Sequence, residues 1–537
     1  MENQSDAASD FSNLLLRSMA KAPEWSSKLV EASLNGAEAM QVLYRGLLSA
    51  ICEFSTPSLG AMNSFLGVER EKILTRPPQD SVMDYLELLR FNLQIGSTGL
   101  TRSLATMMDY RLRQSADALS ASLVTLFGGD GEDVAAFSAR RARLFKLVVD
   151  EYPRAIRDIR SEYGLHLDNG GYRKIAETER FALYQVLPLD PALPVRDDGK
   201  PLLIIPPYVL GPHILAFLPS ENKSYVHCFA NQGIPTYIRI VKDIDTTEAV
   251  QLMTREEDAL DTRTFCEQIV ARHGRPATLN GFCQGGYVAV LDLLSGELDG
   301  LVDALITCVS PMDGTRSKSL VDYIQHLPPR FRDLGYSVKT LPKGNKVVDG
   351  KVMSWVYKLK SMDQEAPVVS FYRDLVMLER SMDKPTPINK TAAAINHWMI
   401  YDRTDLPLDI TRLSFASYTE PVDRDGNLPI KLFGRRLNFK RLKEKGIQWL
   451  ICIADRDDLI DAPAALAPLD FVEAEVSVFP KGHGAIATSW SLPTSECALH
   501  TCFEPANRKF GDQCRGPVIY HLDLDRMGTV PQPESSQ

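Results

Sequence analysis

Ala277-Thr278-Leu279-Asn280-Gly281-Phe282-Cys283-Gln284-Gly285-Gly286-Tyr287, followed by the apolar run Val288-Ala289-Val290-Leu291, decides how this chain is read. The pattern predicts a short buried strand ending at Gly281, a sharp turn carrying Cys283, and a helix beginning near Gly285. A strand that turns straight into a helix strains the residue at the bend and brings neighbouring backbone close, so glycine is required on both sides. The bend pushes its side chain out of the fold. The N–H of the next residue, Gln284, then stands at the positive end of the helix and faces any oxyanion formed at the sulfur. With 33 glycines and 9 cysteines in 537 residues, chance supplies only about 0.03 G-x-C-x-G matches. Cysteine is more commonly a small, inert core residue. The strand–turn–helix setting favours a nucleophile instead.

Outward from the elbow, strands and helices alternate. Leu202–Ile205 is a continuous apolar run, as a central parallel strand should be, and Pro206-Pro207-Tyr208-Val209 ends it. Thr236–Val241 reads as the next strand, and Asp258, Leu260, Phe265 and Ile269 mark a helix leading to the elbow strand. Ala304–Ser310 follows the elbow helix, and strands resume at Gln448–Ala454 and Glu475–Phe479. This alternation, with a nucleophile elbow, implies an α/β fold with a mostly parallel sheet, the α/β-hydrolase core. Between its halves lies an insertion at about 311–413, expected to form a lid, with amphipathic pieces around Val321–Ile324 and Phe371–Leu378. Before the core, residues 12–165 carry apolar residues mostly at three- and four-residue spacing, broken at Gly128–Gly131, with Asp133 or a neighbour capping the next helix. The expected organisation is an all-α N-terminal domain over 1–170, a catalytic domain with its lid over 171–527, and a disordered tail at 528–537.

A chain of this length exceeds what one core usually holds, which agrees with two domains. The net charge of −9, with no basic cluster interleaved with aromatics, argues against a nucleic-acid partner. No apolar run is long enough to span a bilayer, and the polar, acidic start MENQSDAASD lacks the features of a signal peptide. Nine scattered cysteines without a CxxC or zinc spacing fit free thiols in a reduced compartment, so the expected location is cytoplasmic, without a metal.

A cysteine nucleophile needs a base to form thiolate and an acid to orient that base. In this fold the chain order is nucleophile, acid, base, with the last two in loops after late strands. Asp455-Arg456-Asp457-Asp458-Leu459-Ile460-Asp461 follows one such strand, and Pro480-Lys481-Gly482-His483-Gly484 follows the next. His483 is therefore the expected base. Asp455, Asp457, Asp458 and Asp461 compete for the acid, and local sequence barely ranks them.

The chain resembles the polyhydroxyalkanoate synthase family across most of its length. The resemblance is carried by Pro201–Tyr208, Ile214-Leu215 to Glu221-Asn222, Asn280–Gly286, Asp402–Pro407 and Leu432-Phe433-Gly434. An all-α domain ahead of the hydrolase core is also similar to the longer members. The resemblance implies a Cys–Asp–His triad on Cys283, Asp458 and His483, with Asp458 favoured because it stands two residues before Ile460. It departs at Asp458–Pro463, where a histidine and a Pro-Trp pair are missing, at Met399–Pro407, which lacks a Trp-Asn pair, and in the tail, which lacks a Trp-rich ending.

What the resemblance implies is acyl transfer from a 3-hydroxyacyl-CoA through a thioester on Cys283, with CoA released and the polymer chain extended. CoA thioester enters as substrate, and no cofactor is expected. The oxyanion is expected against the N–H groups of Gln284 and of Tyr208 or Val209. Implied partners are a second copy of the chain and a polymer granule surface. Lys343, Lys346, Lys351, Lys358 and Lys360 of the insertion are candidates for CoA phosphates, although a solvated charged face is the commoner role of such residues. With water as acceptor the same triad gives a depolymerase or thioesterase. A catalytically weak granule-binding or partner protein is the remaining alternative.

Overall fold

Apolar residues at helical spacing form two long helices, α1 (Ala22–Lys72) and α2 (Pro78–Phe127), followed by α3 (Val134–Lys146). Proline opens α2, where a missing N–H costs nothing. Asp133 caps α3, its carboxylate accepting from Ala136 N–H at 2.9 Å. The computed structural model describes residues 22–72, 77–128, 130–195, 197, 199–318, 321, 337–353, 367–479 and 482–488. The expected tail at 528–537 therefore lies outside the described residues.

The chain divides into two units, residues 1–159 with 355–393, and residues 160–354 with 394–537. This differs from the expected organisation: part of the inserted segment groups with the N-terminal helices. The reason is its apolar stripe. Helix Pro367–Glu379 buries Phe371, Tyr372, Leu375 and Leu378 against Leu144, Phe145, Val148 and Tyr152. Burying each such side chain stabilises by about 1.5–3 kcal/mol. Gly46 of α1 lies where a side chain would strike the Phe371 ring and Val149.

Among the described residues of the second unit, eight strands form one sheet: β1 (Tyr172–Glu177), β2 (Phe181–Val186), β3 (Leu202–Ile205), β4 (Thr236–Val241), β5 (Ala277–Phe282), β6 (Val302–Cys308), β7 (Gln448–Ala454) and β8 (Glu475–Phe479). Their order is β1-β2-β4-β3-β5-β6-β7-β8. β2 runs antiparallel to both neighbours, and every pairing from β4 to β8 is parallel. That order, with a nucleophile elbow after β5, is the α/β-hydrolase fold. β1 was not legible in the sequence, because at the sheet edge it is mostly half-buried or exposed and lacks a continuous apolar run. β3 and β5, by contrast, are buried throughout.

Register places the site. Ile205 pairs with Gly281 and Phe282 with Cys308, so the turns after β3, β5 and β6 emerge side by side. Ala454 pairs with Phe479, which brings the loops after β7 and β8 together. All lie at the carboxyl ends of the parallel strands, where ligands collect in open α/β sheets. Two helices flank this edge: α4 (Arg255–His273), opened by a capping box of Thr254 and Glu257, and α5 (Gln284–Ser295), buried along its whole length. From the insertion, the second unit keeps a small antiparallel sheet (Val338–Thr340, Lys346–Val348, Leu406–Pro407) and helix α6 (Leu408–Thr419). Of the expected helical piece Val321–Ile324, only Val321 is among the described residues. No helix among the described residues is long and apolar enough to cross a membrane.

Candidate active site

Cys283 sits between β5 and α5 with φ 52° and ψ −125°, a conformation that non-glycine residues rarely adopt. Its N–H is held by the Cys308 carbonyl at 2.8 Å. The surrounding glycines are demanded by close approach. A Cβ on Gly281 would strike the backbone of Gly286, one on Gly285 the carbonyl of Ile205, and one on Gly286 the Ser310 hydroxyl. The thiol is free and partly exposed.

His483 lies in the turn after β8, buried, its ring edge-on to Phe282 with centroids 5.8 Å apart. Its Nδ1 bonds Asp457 Oδ2 at 2.8 Å. The other oxygen of Asp457 accepts the N–H groups of Leu459 and Ile460, each at 2.9 Å. The Asp457 side chain is 1% exposed. The carboxylate beside the imidazole is thus Asp457, and the expected Asp458 is displaced from that role. The turn after β7 folds back on the Asp457 carboxylate through those two N–H groups and leaves Asp458 on the solvent side, exposed. Nε2 of His483 is enclosed and makes no hydrogen bond of standard geometry among the described residues. Burial works to strip the second proton from this imidazole. The charge of Cys283, the charge of Asp457 and the hydrogen bond to Asp457 outweigh it and raise the histidine to about pKa 10.

A pH dependence follows. An unfolded histidine titrates near 6.5, so the raised folded value makes the protonated ring favour the folded state. This stabilisation is complete below about pH 6.5 and is lost as pH rises through about 10. Denaturant unfolding of the wild type should show a decline across that window that His483→Gln lacks. Equal slopes in the two proteins would refute the protonated ring.

The oxyanion donors differ from expectation. Gln284 is the first residue of α5, so its N–H has no acceptor within the helix. The N–H groups of Tyr208 and Val209, expected to face the oxyanion, instead donate to the side-chain oxygen of Gln284, at 3.0 and 3.1 Å. Gln284 Nε2 in turn donates to the Ser414 hydroxyl of α6. From its place in the sequence, Gln284 is expected to contribute only its backbone N–H. The available signal was a polar residue opening a helix whose next seven residues, Gly285–Leu291, are glycine, aromatic or aliphatic.

Beneath the turn, the Tyr208 hydroxyl donates to Asp258 at 2.8 Å, and Asp258 pairs with Arg239 at 2.7 Å, both side chains 2% exposed. Arg239 also lies over the Phe181 ring at 4.6 Å. Neighbouring Asp292 is fully buried, and its pKa is pushed well up, first by burial and then by the charge of Asp258. Removing one partner of a buried ion pair leaves a bare charge and costs about 3–5 kcal/mol, so this group anchors the turn firmly.

The Asp402–Pro407 stretch lines a cavity of about 590 Å³ together with Tyr208, His213 and Arg239. Neither Cys283 nor His483 lines it. Lys343, Lys346 and Lys351 are exposed, and Lys343 pairs with Glu248 at 3.4 Å. Lys358 and Lys360 lie outside the described residues. Among the described residues no cluster of His, Cys, Asp or Glu is placed to hold a metal ion.

A cysteine at positive φ on the turn between β5 and α5, with an imidazole and a carboxylate in the loops after β8 and β7, defines the class: an α/β-hydrolase fold. No protein-family model and no curated protein matches the chain. Among solved structures it is similar to a carboxylesterase of the thaumarchaeon Nitrososphaera gargenis, at 14% identity over 59% of this chain and 92% of that one, with a TM-score of 0.35. It is also similar to the thioesterase domain from the curacin biosynthetic pathway (11% identity, 59% and 92% covered, TM-score 0.29). A third likeness is to a carboxyl esterase of Bacillus coagulans (12% identity, 58% and 90% covered, TM-score 0.30). Strand order and the elbow, rather than these likenesses, define the fold.

Proposed function

We propose that this protein is an acyltransferase that polymerises 3-hydroxyacyl-CoA through a thioester on Cys283. The observation that carries the proposal is the His483–Asp457 pair beside a cysteine held at positive φ. His483 already holds the proton of the Cys283 thiol as an imidazolium, in keeping with its raised pKa, and the thiolate attacks the substrate carbonyl. The tetrahedral oxyanion then collapses, and CoA leaves as its thiol with the proton from His483. The hydroxyl of a second 3-hydroxyacyl group gives its proton to His483 and attacks the thioester carbonyl. An ester bond forms and the Cys283 sulfur departs. Sulfur suits this sequence because exchange between thioesters is close to thermoneutral, so the bound acyl group stays reactive.

The test is incubation of purified protein with 3-hydroxybutyryl-CoA while CoA release and product are followed together. Polymer supports the synthase reading. Free acid indicates water as the acceptor, hence a thioesterase or depolymerase. Absence of turnover leaves a binding protein.

A polymer granule surface and a second copy of the chain belong to the same proposal. In support of an apolar partner, α1 and α2 expose many large apolar side chains, among them Leu34, Leu48, Leu93 and Leu112. A helix apolar on more than one face normally has more than one neighbour. Replacing Leu93 and Leu112 with glutamate should release the protein from polymer granules in a sedimentation assay, without altering CoA release from soluble substrate. Unchanged sedimentation would remove the granule from the proposal.

A further inference from the structure

Gln284 is 6% exposed, so its carboxamide must find partners. It finds three. Its oxygen accepts from Tyr208 and Val209, two successive N–H groups that converge as an anion-binding nest does. Its nitrogen donates to Ser414 Oγ, which is itself bonded to the Ile410 carbonyl at 3.2 Å. One side chain therefore ties together the elbow, the turn after β3 and helix α6.

We propose that the Gln284 side chain is a positioning residue for acyl transfer, holding the Tyr208–Val209 N–H groups in place and ceding one of them to the oxyanion. The inference rests on the acyl-transfer reading of Cys283. A neutral carboxamide oxygen with two donors can surrender one, since a charged oxygen is the stronger acceptor. The second bond keeps the turn in register while the first is exchanged. Tyr208 cannot drift, because its hydroxyl is held by Asp258 on the far side. Ser414 keeps the carboxamide from following the departing donor.

The test compares full-length wild type, Gln284→Met, which removes the acceptor at similar volume, and Ser414→Ala, which removes only the outer tether. Three rates are read: acylation of Cys283 by 3-hydroxybutyryl-CoA in a single turnover, alkylation of Cys283 by iodoacetamide, and hydrogen exchange of the Tyr208 and Val209 amides. Gln284→Met should acylate about 100-fold more slowly, with exchange protection lost at both amides. Ser414→Ala should acylate about fivefold more slowly. Alkylation, which forms no oxyanion, should keep its wild-type rate in both. Parallel loss of acylation and alkylation, or unchanged amide protection in Gln284→Met, overturns the proposal. Should the wild type alkylate but never acylate, the acyl-transfer reading fails by itself. Amide exchange then still decides whether Gln284 holds the turn.

Discussion

Cys283→Ala is expected to abolish CoA release from 3-hydroxybutyryl-CoA, a loss of at least about 10⁴-fold. Without sulfur at the bend no thioester forms, and no other group replaces it. Cys266, Cys308 and Cys452 are buried, and burial drives the thiols of Cys266 and Cys452 upward, away from the reactive thiolate. The fold should survive. Alanine meets the same positive φ as cysteine does, and the glycine contacts around the elbow are unaffected. Far-UV circular dichroism and unfolding curves check this alongside the rate. Release within tenfold of wild type would move the nucleophile elsewhere.

The second large effect separates two adjacent acids. Asp457→Asn should slow acyl transfer by about 10²–10⁴-fold, whereas Asp458→Asn should stay within about threefold of wild type. Asparagine at 457 can still accept the Leu459 and Ile460 N–H groups, so the turn persists. What changes is the side chain facing His483 Nδ1. An amide N–H in place of Oδ2 demands an acceptor there, which places the imidazole proton on the wrong nitrogen. It also removes the carboxylate charge that helps to raise the histidine. The distinction is read from kcat with the two variants side by side. A larger loss in Asp458→Asn would restore that residue as the acid.

These two residues also mark the boundary of what local pattern reveals. The family resemblance selects Asp458 by its distance from Ile460, yet the structure seats Asp457 against the ring. A difference of one residue reverses which side chain points inward, and only the fold-back of the turn onto Leu459 and Ile460 N–H settles it. Gln284 teaches the same lesson. Its place after Cys283 predicts a backbone donor, but its partners Tyr208, Val209 and Ser414 come from two other parts of the chain. The division of the inserted segment was hidden for a related reason. An apolar stripe such as Phe371–Leu378 announces that it will be buried, not which core will bury it.

By itself, then, the sequence determined the elbow, the order in which Cys283, the aspartate loop and His483 follow one another, and six of the eight strands described in the central sheet. Each of these depends on constraints between residues close in the chain: steric crowding at glycines, continuous apolar runs, turn and cap residues. The tertiary structure alone decided which aspartate meets His483, what occupies the Tyr208 and Val209 N–H groups, and which unit keeps residues 355–393. Those outcomes depend on side-chain direction and on partners far apart in sequence, which strand register and packing fix only once the whole chain has folded.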